Sequence, residues 1–422
     1  MLRIVSLLIF LELSGSAQQS PLLPATIDLP VAMQEAITNN LVVLAEKSNI
    51  TVAEARIITA RLKPNPILSL SSDHLDVLGT GYNTVNNGGP AESALQINYL
   101  LERGGKREAR VALAEAVKTV TELQVRNVVR ALLLDVQNSY IDILSAKANL
   151  QLANQNLKVF NDVVEINTVR VRAGDLAKVE LVRSQVAALQ FRNAVRQAEL
   201  RIAAAKNRLQ LLMGRRLPDA AFDVRGELSK AVLITSLDEL RKLALELRPD
   251  LEGLRRDVAR SGADYKLQLA NGKVDYTVGA EVRRQQGPAG QGNSAGLHFS
   301  MPIPVNNKNQ GEIERARREG LQAELRVKAL EQFILAEMEN AFQQHQTSKL
   351  LLESIEKDLL AQAQEVRETM LYSYRRGEAS FVEFLDAQRA FNDTVQGYND
   401  ARADYARTLF LIDSITGKVV TP

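Results

Sequence analysis

Ser373-Tyr374-Arg375-Arg376-Gly377-Glu378-Ala379-Ser380-Phe381-Val382-Glu383-Phe384-Leu385-Asp386-Ala387-Gln388 decides the fold, because the chain contains an earlier version of it. That version is Arg170-Val171-Arg172-Ala173-Gly174-Asp175-Leu176-Ala177-Lys178-Val179-Glu180-Leu181-Val182-Arg183-Ser184-Gln185. Placing Gly174 on Gly377 also places Glu180 on Glu383, Gln185 on Gln388 and the distant Gly214 on Gly417, all 203 positions apart and without a gap. In both versions a lone glycine interrupts a long Ala/Leu-rich periodic run. Glycine takes the left-handed conformation that ends a helix, so each version reads as helix, sharp turn, helix.

An internal duplication changes how 422 residues are divided. Residues 18–214 form a first repeat and 237–417 a second, with 215–236 as a linker and 418–422 as a frayed tail. Met1 to Ala17 carry Arg3, an apolar core from Ile4 to Leu13 and a small-residue exit at Gly15-Ser16-Ala17, which reads as a secretory signal peptide; Glu12 is atypical in such a core. Cysteine is absent, so the chain has no disulfide, no thiolate metal site and no cysteine to carry a lipid. Lys plus Arg number 52 against 50 Asp plus Glu, with the signs interspersed as in Glu312-Ile313-Glu314-Arg315-Ala316-Arg317-Arg318-Glu319. That is the pattern of solvated helix faces, and it argues against nucleic acid as a partner.

Outward from the turns, each repeat follows one order. Pro30 to about Arg61 and Leu237 to about Ala270 read as helices, matched at an offset of 208 through Ala36 with Ala244, Val43 with Leu251 and Ala55 with Ala263. Strands are expected at about 66–72 and 94–101 in the first repeat and about 273–284 and 296–303 in the second. Polar, Gly-rich loops, Gly79 to Ser93 and Gln285 to Gly296, join them. Val136, Tyr140, Ile143, Ala146, Leu150, Ala153, Leu157, Phe160 and Val164 then step by three or four, as do Leu352, Ile355, Leu359, Ala363, Val366, Met370 and Tyr374. This is a coiled-coil seam, and a helix from Lys106 to Arg172 extends on the order of 100 Å.

The fold class is therefore mainly α with a small β part: a duplicated helix, strand, strand, long helical hairpin. After the signal no apolar run approaches the ~18 residues of a spanning helix, so any membrane crossing has to be a closed barrel. Single-chain membrane barrels start at about eight strands. Four strands leave open edges, and the chain has to associate if they lie in a membrane; two copies supply eight strands and three supply twelve. Trp is absent, and Tyr82, Tyr99, Tyr276 and Phe299 are the nearby candidates for an aromatic girdle.

The doubled order of elements, Leu101-Glu102-Arg103-Gly104-Gly105-Lys106-Arg107 before the first long helix, Met301-Pro302-Ile303-Pro304-Val305-Asn306-Asn307-Lys308-Asn309-Gln310-Gly311 before the second, and Leu385-Asp386-Ala387-Gln388-Arg389 after the second turn resemble the TolC-type outer-membrane efflux proteins. The resemblance covers nearly all of the mature chain. It implies a homotrimer with a shared twelve-stranded barrel in outer-membrane lipid and an α-helical tunnel across the periplasm. It also implies a periplasmic adaptor and an inner-membrane pump of the RND type as partners. The Gly-Gly-Lys-Arg and Pro-Ile-Pro segments are most similar to the branch that serves heavy-metal cations such as cobalt, zinc and cadmium. The same conduit for organic toxins, antibiotics or exported polypeptide is the alternative cargo, and a soluble periplasmic coiled-coil scaffold is the alternative from another class.

The resemblance further implies that the turns at Gly174 and Gly377 lie at the periplasmic end, ringed by the acidic residues Glu383 and Asp386 with Glu180 as first-repeat counterpart, and that Tyr374 stands near this gate. Ser380-Phe381-Val382-Glu383 also reads as a capping box, a competing role for Glu383 that Glu180, behind Ala177, does not share. The ring is the preferred reading. Asp386 faces Arg389 one turn on as an exposed pair, and Arg183 holds the equivalent of Asp386's place in the first repeat. Arg183 and Asp386 of neighbouring hairpins are therefore expected to pair across the closed tip. Ala379 stands where some family members carry a basic gate residue, so the family's gate network does not transfer whole. No catalytic group or cofactor site is expected: His74, His298 and His345 lie on different elements, and Gly105-Lys106-Arg107 lacks the first glycine of a phosphate loop.

Overall fold

A computed structural model describes residues 26–75, 77–79, 91–228, 233–287 and 290–418. The signal-peptide reading, Tyr82, most of the first polar loop and the last four residues lie outside the described residues.

The long helix of the first repeat, α3 (Lys106–Ala173), runs unbroken for 68 residues between Gly105 and Gly174, both with positive φ. At 1.5 Å per residue that is roughly 100 Å. The chain returns along it as α4 (Lys178–Leu212). In the second repeat the outgoing helix has two parts, α7 (Gln310–Ser354) and α8 (Leu360–Arg376), with a π turn at Ile355–Leu359 between them, and the return is α9 (Phe381–Thr416). The repeat itself explains the π turn. Buried Leu132 and Val136 correspond to Ile334 and Met338 at a spacing of 202, whereas beyond the π turn Gly174 and Gly377 stand 203 apart. One extra residue has entered the second helix, and the Leu360 amide reaches back five residues to the Ile355 carbonyl to absorb it.

Each shorter helix expected from the sequence is two helices. The first is α1 (Leu29–Asn39) and α2 (Leu41–Arg61), broken at Asn40. The Asn40 side chain accepts from the Val42 and Val43 amides at 2.9 and 3.2 Å, and its Nδ2 donates to the Leu212 carbonyl at 2.9 Å. The capping preference of asparagine thus overrides an apolar period that runs on through it. The second is α5 (Leu237–Leu247) and α6 (Pro249–Asn271), which part at Arg248 because the residue before a proline is driven out of helical geometry. The returning helices end against these breaks. A Cβ on Gly214 would lie 2.2 Å from the Asn39 carbonyl oxygen, and one on Gly417 2.8 Å from that of Leu247, so both positions exclude a side chain.

Two equivalent cores follow. One packs Ala32, Ala36, Val43, Val136, Ile143, Leu209 and Met213; the other packs Leu240, Ala244, Leu251, Ile334, Met338, Ile412 and Ile415. Residues 215–236 are more than a connector. Asp223–Val224 (β4) pairs in parallel with Thr26–Ile27 (β1), Phe222 is buried, and Arg215 makes a two-pronged ion pair with Glu35 at 2.7 and 2.9 Å.

The other four strands form one antiparallel sheet, β2 (Ile67–Asp73), β3 (Glu92–Leu101), β5 (Tyr276–Gly287) and β6 (Gly290–Ser300), in the order β2-β3-β5-β6. Two boundaries correct the sequence reading. The supposed loop from Gln285 to Gly296 is mostly ladder, since pairing continues to Gly287 opposite Gly290; backbone hydrogen bonds override the poor strand propensity of Gly and Asn. Met301 to Ile303, expected in strand, lie outside it, where Pro302 and Pro304 have no amide proton to give.

Candidate conduit wall and hairpin-tip gate

The sheet has two chemically distinct faces. Leu68 pairs with Ile97, Ile97 with Ala280 and Ala280 with Leu297, while Leu70, Leu95 and Val282 form a parallel row and Tyr99, Val278 and Phe299 another. Directly paired residues share a face, so one side is a continuous apolar surface, and its large side chains are exposed: Leu70 at 79%, Leu297 at 90% and Phe299 at 63%. The opposite side carries Ser69, Gln96, Asn98, Glu281, Arg283 and His298. There Arg283 meets Glu281 at 2.9 Å and Glu92 at 3.5 Å, and His298 meets Glu281 at 3.5 Å. Among the described residues β2 pairs only with β3 and β6 only with β5, so both outer edges present an unsatisfied backbone row. Of the girdle candidates, Tyr276 and Phe299 pack at 5.4 Å between ring centroids on the apolar side.

At the far end of the long helices the two turns are built alike and started differently. Gly174 at φ 84° donates to the Val171 carbonyl and Asp175 to that of Arg170; Gly377 at φ 81° donates to Tyr374 and Glu378 to Ser373. These paired bonds close each helix as a Schellman motif, which only a residue tolerant of positive φ completes without strain. In the second hairpin Ser380 opens α9 with a full capping box: its Oγ accepts from the Glu383 amide at 3.3 Å while Glu383 Oε2 accepts from the Ser380 amide at 2.7 Å. The Ser380 amide, and with it the Ser380 hydroxyl, donate to the Glu383 carboxylate and hold it below the usual carboxylate range. The capping contact that competes with the ring role is thus formed within the chain. Ala177 gives α4 no side-chain cap, and Glu180 instead holds Arg183 at 2.7 Å.

Between the tips lies a compact aromatic cluster of Phe160, Val163, Ala187, Ala188, Tyr374, Phe381 and Phe384, drawn from all four helices. Tyr374 stacks on Phe384 at 5.6 Å, and its hydroxyl donates to Asn167 Oδ1 at 2.8 Å; burial pushes the hydroxyl pKa up. Arg170 Nη1 reaches the Tyr374 carbonyl at 3.4 Å, and Gln388 Nε2 donates to Asn156 Oδ1 at 3.1 Å. Tyr374 is therefore an expected gate residue whose side chain joins the two hairpins within a chain. Arg183 and Asp386 do not meet there: Asp386 pairs with Arg389 at 3.7 Å, and both are exposed. Asn156, Asn167, Arg170 and Phe384 escaped the sequence reading. The signal was present in Asn156, Phe160, Val163 and Asn167, a helical stripe on which an asparagine stands at either end of an apolar pair. Among the described residues no group of three or more His, Cys, Asp or Glu is placed to hold a metal ion.

The family model described as outer membrane efflux protein matches residues 32–215 and 240–418. The cobalt-zinc-cadmium resistance protein CzcC of Cupriavidus metallidurans is 23% identical over 396 residues, covering 94% of this chain and 90% of its own length. Among solved structures, the outer-membrane channel OprN superposes with a TM-score of 0.75 at 18% identity, over 93% of this chain and 91% of OprN. A membrane protein from Pseudomonas aeruginosa gives 0.77 at 17% identity, with 92% of each chain covered.

Proposed function

Because this chain belongs to the outer membrane efflux protein family, we propose that three copies of it form the passive outer-membrane and periplasmic conduit of a tripartite efflux system. The chain is an outer-membrane channel that extends into the periplasm. One observation carries the assembly: a four-stranded sheet with an exposed apolar face and two unpaired edges is set directly above paired helices roughly 100 Å long. In lipid each open edge costs several kcal/mol per unpaired group, so the β2 edge of one copy pairs with the β6 edge of the next. Three copies then close a twelve-stranded wall, with the apolar face toward lipid and the Gln96, Asn98, Glu281, Arg283 and His298 face toward water. The helical hairpins continue that wall as a hollow stalk, and the contact of Tyr374 with Asn167 and their aromatic neighbours ties the two hairpin tips of each chain together at its periplasmic end.

The partners are a periplasmic adaptor and an RND-type inner-membrane pump, which supply selection and energy. The cargo is heavy-metal cations, supported by the likeness to CzcC. A soluble coiled-coil scaffold leaves the exposed apolar sheet face without a purpose. Growth of a deletion strain on graded zinc, cobalt, cadmium and common antibiotics tests the cargo. Sensitivity confined to the cations is expected. Sensitivity confined to antibiotics moves the assignment to organic toxins.

A further inference from the structure

The apolar stripe of β6 does not stop where its hydrogen bonds do. Leu297 and Phe299 on the sheet face are followed by Met301, Ile303 and Val305, the last two 75% exposed, in the proline-rich segment beyond Ser300. This segment borders a shallow hollow of about 540 Å³ at the junction of sheet and helices, lined by Met301, Pro302, Ile303, Tyr276, Arg103 and Lys273.

The two cations in that lining are not neutralised locally. Asp275, two residues on from Lys273, already accepts from Lys106 Nζ at 2.6 Å and from the Arg103 amide at 2.8 Å. The Arg103 guanidinium lies 4.3 Å above the Tyr276 ring and donates to the Tyr276 hydroxyl, a contact that leaves most of its donors unused. Lys273 packs against Gly104, where an added Cβ would lie 2.5 Å from its Cδ, and the Lys308 carbonyl abuts Gly272 in the same way at 2.7 Å. Arg103, Lys273 and Lys308 are all exposed, and among the described residues none of the three has an ion-pair partner. A cationic pocket with an apolar floor, continuous with the lipid-facing side of a membrane sheet, has the two-part chemistry of a phospholipid headgroup joined to its acyl chains.

We propose that this hollow binds an anionic phospholipid of the periplasmic leaflet. Arg103 and Lys273 take the phosphodiester with Lys308 beside them, and Met301 and Ile303 receive the glycerol end of the acyl chains. The inference rests on the sheet being part of an outer-membrane barrel. It adds a lipid class and a place, and it assigns the exposed proline-rich segment to lipid instead of to a neighbouring copy.

The test is native mass spectrometry of the oligomer released from nanodiscs of equimolar phosphatidylglycerol and phosphatidylethanolamine. Retention of phosphatidylglycerol over phosphatidylethanolamine by at least about ten-fold is expected, since each interfacial cation contributes on the order of five-fold. Arg103→Gln with Lys273→Gln should abolish that preference, and Ile303→Ser should weaken total lipid retention while leaving the oligomer intact. No preference in the wild type, or the same preference in the double variant, overturns the proposal. Displacement of the lipid by equimolar inorganic phosphate overturns it too, because the apolar half would then play no part. Dissociation of the Ile303→Ser oligomer also overturns it, by assigning the segment to a second copy. A chain that never enters nanodiscs fails the barrel reading itself, which keeps the two failures distinguishable.

Discussion

The Tyr374 hydroxyl donates to Asn167 Oδ1 at 2.8 Å inside the aromatic cluster that joins the two hairpin tips. Both residues are buried, and Asn167 Nδ2 has no partner of its own, so this bond is the chief polar tie at that level. Tyr374→Phe removes the donor and strands the amide, at a cost of about 1–3 kcal/mol. Spread over three copies, that loss should raise single-channel conductance and let a large antibiotic through. Unchanged conductance would mean that the tips are held elsewhere.

Within a chain Arg183 is engaged by Glu180 and Asp386 by Arg389. The pairing of Arg183 with Asp386 is expected between neighbouring hairpins; we propose that those hairpins belong to different subunits, because exposed pairs of this kind exchange partners at a cost of about 1 kcal/mol or less. Arg183→Asp and Asp386→Arg should each raise conductance, and combining them should restore it. A double variant that behaves as the sum of the two singles rules the pair out.

Arg215 and Glu35 form the most enclosed ion pair described, with side chains only 5% and 7% exposed, and Arg215 also lies 4.7 Å over the Phe222 ring. Arg215→Ala leaves a buried carboxylate alone and should destabilise the protein by roughly 3–5 kcal/mol. Thermal unfolding of the detergent-solubilised protein measures this. Arg215→Met with Glu35→Leu should recover most of the loss.

His345 is buried between α7 and α9, with Nδ1 2.9 Å from Thr408 Oγ1 and its ring 5.0 Å from that of Tyr405. Burial, with Lys349 one turn on, pushes its pKa below the usual value. A histidine held neutral contributes stability that is present above the unfolded pKa of about 6.5 and is lost as pH falls from there toward the lower folded value. The unfolding temperature should therefore drop between about pH 7 and pH 5, and His345→Gln should flatten that slope. An equal slope in the variant would place the acid sensitivity in other groups.

How much of this was legible in the sequence depended on whether a feature was local. The duplicated turn, the glycine at each tip and the alternation of the sheet are written in neighbouring residues, and they led to the mainly helical class and to the family. Asn40 and Pro249 also act locally, yet the apolar period running through them concealed the helix breaks. The π turn is invisible to any single window and emerges only when two offsets, 202 and 203, are compared along the repeat. The gate divided similarly. The capping box at Ser380 was readable, but the environments of repeat equivalents diverged: Gln388 is buried against Asn156 while Gln185 is exposed. Equal positions in a duplicated sequence need not face equal neighbours once one hairpin is packed against the other.

The mass of the folded particle bears most directly on the assembly. In mild detergent, sedimentation with the detergent contribution subtracted should give three mature chains per particle, and a cysteine introduced at Ser69 in β2 should crosslink to one introduced at Ser294 or at a neighbouring position in β6 of the adjacent copy. A stable, conducting single chain, with the exposed row of Leu70, Leu297 and Phe299 covered by its own residues, would contradict the account.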